Sequence, residues 1–101
     1  MLHRWPHFSI WGAGRDAKLV VRELTHDSRA KIVRVAEVDA NKVGTSFMPD
    51  GMQGRRVPIV HFSAIKPPAL VCVAKGRTGG ALERNVRSVG LLEGVDCWYV
   101  V

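Results

Sequence analysis

Metal-binding and disulfide chemistry is almost missing from this 101-residue chain. Its two cysteines, Cys72 and Cys97, lie in separate apolar runs, and neither belongs to a Cys-x-x-Cys pair. They read as small buried hydrophobes in a reducing compartment. The four histidines, His3, His7, His26 and His61, are scattered, with no i, i+4 pair and no neighbouring cysteine, which argues against a zinc site. No serine sits in a Gly-x-Ser-x-Gly elbow, and no pair of acids is placed for glycoside hydrolysis. No apolar run approaches the ~20 residues that span a bilayer, and the start, Met1 to Pro6, lacks the apolar core of a secretory signal. Internal repeats and low-complexity tracts are absent. Acids are scarce too: 9 against 15 basic residues, for a net charge of +6. These absences point to a cytoplasmic, membrane-free binding domain with no catalytic group, metal or cofactor of its own.

What is present centres on Phe8 to Ala17. The apolar run Phe8-Ser9-Ile10-Trp11 stops at Gly12-Ala13-Gly14, and a helical pattern starts at once with Arg15-Asp16-Ala17. Strand, glycine turn and helix with the spacing Gly-x-Gly-x-x-Ala are the parts of a dinucleotide-type unit. Gly12 permits a turn with positive φ. Gly14 has no Cβ, so a phosphate can approach the backbone, and the small Ala17 lets the helix pack close to its strand. The free N–H groups at the helix start form an anion site.

The pattern continues as an alternation of strands and helices. Ala17, Val20, Val21 and Leu24 mark one apolar helix face, which Asp27-Ser28 closes. Lys31 to Val38 reads as the second strand. Asn41 to Arg56, with Gly44, Pro49, Gly51 and Gly54, reads as loop with at most a helical turn at Asn41–Val43. Val57 to Val60 is a third strand, placed at a sheet edge because Pro58 has no N–H. Ser63 to Ile65 allows one helical turn before Pro67-Pro68. Ala69 to Ala74 is an unbroken apolar run, as expected of a central parallel strand covered on both faces. A second glycine turn, Lys75 to Gly80, leads to a helix marked by Leu82, Val86 and Val89, which Gly90 ends. Val95 to Val101 is the last strand. The predicted fold is α/β: residues 1–101 form a single three-layer Rossmann-like domain with a five-stranded parallel sheet in the order 3-2-1-4-5. Its first strand follows Met1 so closely that a domain cut from a longer protein, or one preceded by another domain, is expected.

In that order the two glycine turns meet where the chain leaves the sheet centre in opposite directions, which is where ligands bind in such sheets. The expected ligand-binding residues are Gly12, Ala13, Gly14 and Arg15 on one wall and Thr78, Gly79 and Gly80 on the other. An acid is expected about 20 residues further on, to hydrogen-bond a ribose. Glu37 and Asp39 both qualify, and Asp39 is preferred as the one nearer the strand tip. Its competing role is an Asx turn over Asn41. Arginine outnumbers lysine ten to five, which favours phosphate or nucleic-acid partners. The alternative is a solvated basic surface.

The second half also resembles a known family. The relevant residues are Pro58-Ile59-Val60-His61-Phe62, Pro67-Pro68, Thr78-Gly79-Gly80-Ala81-Leu82-Glu83-Arg84-Asn85, Arg87-Ser88, Leu92-Glu93-Gly94 and Asp96. With Ile10-Trp11, Ala13-Gly14 and Val38-Asp39-Ala40-Asn41-Lys42, they resemble the C-terminal domain of the beta-1,3-N-acetylglucosaminyltransferase-like proteins, the queuosine-tRNA galactosyltransferases. The resemblance covers nearly the whole chain. It implies an accessory domain that follows an N-terminal glycosyltransferase domain, with a nucleotide-sugar as the ligand and tRNA as a partner. The catalytic domain of that family carries an Asp-x-Asp metal motif. None occurs here, so no catalytic residue carries over. The candidate tRNA contacts are Arg55, Arg56, Lys75, Arg77, Arg84 and Arg87. The alternative function is the NAD(P)-binding domain of an oxidoreductase.

Overall fold

A computed structural model describes residues 4–49, 52, 54–74 and 76–101. In chain order the elements are β1 (Phe8–Trp11), α1 (Arg15–Glu23), α2 (His26–Arg29), β2 (Ile32–Glu37), β3 (Ser46–Phe47), β4 (Val57–His61), β5 (Ala69–Val71), α3 (Ala81–Ser88) and β6 (Cys97–Tyr99), with a 3₁₀ turn at Phe62–Ala64. One six-stranded sheet, in the order β3-β4-β2-β1-β5-β6, joins all the strands.

β1 is the centre of this sheet. It pairs in parallel with β2 on one side (Ile10 opposite Val35) and with β5 on the other (Ile10 opposite Leu70). All four of its residues are buried, and strand alternation sorts them onto two faces. Phe8 and Ile10 pack with Ala17 and Val21 of α1. Trp11 packs with Leu82 and Val86 of α3 on the opposite face. Ser9, the polar member, is satisfied by donating its hydroxyl to the Lys66 carbonyl at 2.6 Å. The same alternation puts Cys72 in the α1-side cluster and Cys97 in the α3-side cluster, so the sheet lies between the two thiols.

The five parallel strands run in the expected order, but the sheet is not five-stranded and not all parallel. β3 adds an antiparallel edge beside β4, with Ser46 opposite Pro58 and Phe47 opposite Val57. It lies in the stretch read as loop. Two residues are too few to show a period, and the strand forms because Phe47 has a core to enter, where it is 2% exposed. β4 is therefore not the sheet edge predicted from Pro58. Its missing N–H is tolerated because the neighbouring Ile59 N–H donates to the Thr45 carbonyl and the Ile59 carbonyl accepts from Gly44. The first helix is also shorter than predicted. Leu24 leaves helical geometry, and Asp27 and Ser28 belong to a separate short helix whose cap, Thr25, accepts from the Ser28 N–H. The predicted second, fourth and last strands contract to Ile32–Glu37, Ala69–Val71 and Cys97–Tyr99.

Truncating Phe47 tests whether β3 is anchored through the core. Phe47→Ala is expected to cost about 3 kcal/mol, whereas truncation of its exposed neighbour, Met48→Ala, changes stability by less than about 0.5 kcal/mol. Urea denaturation of the two variants checks the contrast.

Candidate functional site

The C-terminal ends of β1, β2 and β5 converge on the first glycine turn. The Gly12 N–H donates to the Ala36 carbonyl at 2.8 Å, and the Trp11 carbonyl accepts from Cys72 at 2.9 Å, so the turn is held by the strands on both sides. Gly12 has φ +100°, and a Cβ built on it would lie 2.8 Å from Val73 Cγ2. The fold itself therefore requires this glycine. Gly14 differs. Its backbone is extended (φ −91°), and a Cβ built there meets nothing within 4 Å. Gly14 is also the N-cap of α1, with no side-chain hydrogen bond closing the helix start.

A crevice of about 560 Å³ opens over this turn. Gly12 to Asp16 and Leu19 form one wall, Glu37 and Lys42 another, and Cys72, Val73 and Arg77 the third. Its inner wall is acidic. Glu37 is 8% exposed. Its Oε1 accepts from the Ala13 N–H at 3.2 Å, and its Oε2 accepts from Val38 and Asp39 at 2.8 and 3.2 Å. Lys42 Nζ faces Oε1 at 3.8 Å. The rim is basic, with Arg15 exposed and Arg77 reaching Asp16 Oδ2 at 3.1 Å across the mouth. That exposed pair adds less than about 1 kcal/mol, so it can open for a ligand. The anion-binding capacity of the helix start is thus directed at Gly14 and beyond, because the Ala13 amide is already held by Glu37.

The crevice brings together four of the expected ligand residues, Gly12, Ala13, Gly14 and Arg15. Asp39 is not among its lining residues; it is exposed, and its Oδ1 accepts from the Asn41 N–H at 3.0 Å as an Asx turn. Of the two candidate ribose acids, the one in the crevice is Glu37, the last residue of β2. Asp39 lies beyond the strand end, where the chain has already turned away. Thr78, Gly79 and Gly80 do not form the far wall. Thr78 Oγ1 accepts from the Leu82 N–H at 2.8 Å, and Gly80, with φ +95°, caps α3. Thr78 lines a smaller niche behind Gly12. Lys42 went unrecognised because only the fold of the turn after β2 carries it back toward Glu37.

The basic residues expected to touch nucleic acid divide similarly. Arg55 donates to the Arg29 carbonyl at 2.9 Å and to the Ile32 carbonyl, which ties the loop before β4 to the start of β2. Arg77 belongs to the crevice. Arg56, Arg84 and Arg87 are exposed, and Lys75 lies outside the described residues. No helix among the described residues is long and apolar enough to cross a membrane, and no cluster of three or more metal-ligating side chains occurs among them. No protein-family model matches the chain, and no solved structure matches it.

Cys72 lines the crevice, but its thiol is not poised for chemistry. Burial, with a smaller contribution from the Asp16 carboxylate, pushes its pKa up from 9.0 to about 12. A thiolate is the reactive form, so Cys72 is expected to resist iodoacetamide at pH 8 until the protein is unfolded, as mass spectrometry would show. The folded state holds this proton more tightly than the unfolded chain. The associated stability is therefore intact below pH 9 and lost as pH rises toward 12.

The two glycines of the turn give a second test. Gly12→Ala is expected to destabilise by about 2 kcal/mol or more, from left-handed strain plus the contact with Val73. Gly14→Ala, free of strain and contact, is expected to cost about 1 kcal/mol or less, from the N-cap preference for glycine over alanine. Thermal and urea denaturation distinguish the two.

Proposed function

We propose that this chain is a Rossmann-like ligand-binding domain that serves as the non-catalytic accessory domain of a cytoplasmic glycosyltransferase, with the crevice taking the phosphate-bearing part of a nucleotide-sugar. The observation that carries the reading is the contrast between the two glycines. Gly12 is needed by the fold, whereas the space over Gly14 is left open at an uncapped helix start inside a crevice. A free helix N-terminus with close access to the backbone suits a phosphate. The buried Glu37 beside it offers an acceptor for sugar or ribose hydroxyls. The glycosyltransferase assignment rests on the resemblance of the motifs from Pro58 to Asp96 and at the glycine turn. It makes an N-terminal catalytic domain and tRNA the partners.

The second reading, an NAD(P)-binding domain, is favoured by the acid at the end of β2, the usual ribose contact of such domains. Two considerations weigh against it. Among the described residues, the stretch after β2 forms no long second helix, and the motif resemblance points to a glycosyltransferase.

Ligand-induced thermal shift decides between the two, because a ligand bound by the native state alone raises its melting temperature. UDP-galactose and UDP are expected to raise it, and NAD(H) and NADP(H) to leave it unchanged. Gly14→Val, whose Cβ meets nothing within 4 Å, is expected to abolish the shift, with circular dichroism to check that the variant is folded. A Gly14→Val protein that binds UDP-galactose as wild type does would remove the phosphate from this position.

The RNA role is tested on α3. Arg84 and Arg87 are three residues apart, so they share one side of the helix. In the parent protein, Arg84→Ala with Arg87→Ala is expected to weaken tRNA binding without changing sequence preference. The slope of log K against log salt becomes shallower by about 0.7 per lost contact to a single-stranded phosphate. An unchanged affinity and slope would assign these arginines to solubility alone.

A further inference from the structure

Behind Gly12, on the α3 side, lies a second cavity of about 90 Å³. It shares Gly12, Glu37 and Val73 with the larger crevice, so the two spaces are neighbours. The walls of the niche are mainly apolar, from Trp11, Val38, Ala81 and Leu82. Its polar residues besides Glu37 are Thr78 and Asn85. Thr78 Oγ1 already accepts the Leu82 N–H, which leaves its proton free to donate. The Asn85 carboxamide makes no hydrogen bond among the described residues, so a half-buried donor and acceptor stand ready beside an apolar slot.

From this placement we infer that the niche takes the amide edge of a six-membered heterocycle belonging to a nucleotide. The sugar then lies over Gly12 against Glu37, and the phosphate lies in the crevice at Gly14. The inference rests on the reading of the crevice as a nucleotide site and adds the orientation of the ligand and the class of base. Size limits the base. A cavity of about 150 Å³ encloses a benzene ring, so a slot of 90 Å³ admits the edge of one ring and not the body of a purine. Chemistry limits it further. A carboxamide pairs best with a group that also carries one donor and one acceptor side by side. The pyrimidine-dione of uridine nucleotides and the carboxamide-bearing pyridine of nicotinamide nucleotides both present that edge. Glu37 accepts from a sugar hydroxyl between the two spaces, and the sugar passes outside Val73, whose side chain fills the place of a Gly12 Cβ.

The test compares UMP, nicotinamide mononucleotide, AMP and ribose 5-phosphate by isothermal titration. Wild type is expected to bind UMP or nicotinamide mononucleotide more tightly than ribose 5-phosphate, and AMP no more tightly than ribose 5-phosphate. Which of the two ring-bearing ligands gains identifies the source of the base. Asn85→Ala is expected to weaken that ligand about tenfold, the scale of one hydrogen bond, and to leave ribose 5-phosphate unchanged. Ala81→Leu, which fills the niche from the start of α3, removes the remaining preference, and circular dichroism checks that each variant is folded. Equal binding of ribose 5-phosphate and both ring-bearing ligands would overturn the niche assignment while the crevice reading stands. So would a base preference that survives both substitutions. If none of the four ligands, nor UDP-galactose, binds wild type, the crevice reading fails and the inference fails with it.

Discussion

Hydrogen bonding to both sides of β1 is the constraint on which the other elements depend. β1 has β2 on one edge and β5 on the other, and its two faces lie under different helices. A strand enclosed in this way cannot slip by one residue without moving Ser9 and Trp11 onto the α1 face and Phe8 and Ile10 onto the α3 face. Register is thereby fixed at the centre. The ends of β1, β2 and β5 reach the same level, and the turn after Trp11 is delivered to one place. The Ala36 carbonyl and the Cys72 N–H hold that turn from either side.

Glu37 is the consequence with most bearing on function. A buried carboxylate is costly unless it is hydrogen-bonded. Here three backbone N–H groups and a nearby lysine meet that requirement. The same contacts stitch the turn after β1 to the turn after β2. The acid therefore stabilises the site's backbone, divides the crevice from the niche and occupies the first amide of the glycine turn. The helix start at Gly14 has no side-chain cap of its own. The polar crevice and the apolar niche share Gly12, Glu37 and Val73 as lining residues, and the Val73 side chain fills the place that a Gly12 Cβ would take.

The basic character of the chain acts locally. Arg55 and Arg29 spend their guanidinium groups on backbone carbonyls, and Arg34 donates to the Ala64 carbonyl at 2.8 Å. Arginine serves here as a long, multi-donor brace for loops that lack regular pairing. Net charge counts these residues equally with those on the open faces of α1 and α3, so charge alone overstates the surface free to meet a polyanion.

The local sequence pattern was enough to read the parallel order of the five main strands, the glycine turn and its helix. Alternation, apolar runs and glycine spacing are short-range signals that act before any tertiary contact. Three features could come only from the folded chain. β3 exists because Phe47 finds a pocket in the core, and two residues carry no period that would announce it. The choice of Glu37 over Asp39 depends on where β2 ends against β1, a matter of register between strands more than twenty residues apart. The niche between Trp11 and α3, with Asn85 on its wall, depends on how a helix from the last third of the chain packs over the end of the first strand. Spacing along the chain shows which residues can begin a turn or line a helix. Which of them share a cavity is decided by packing between distant segments.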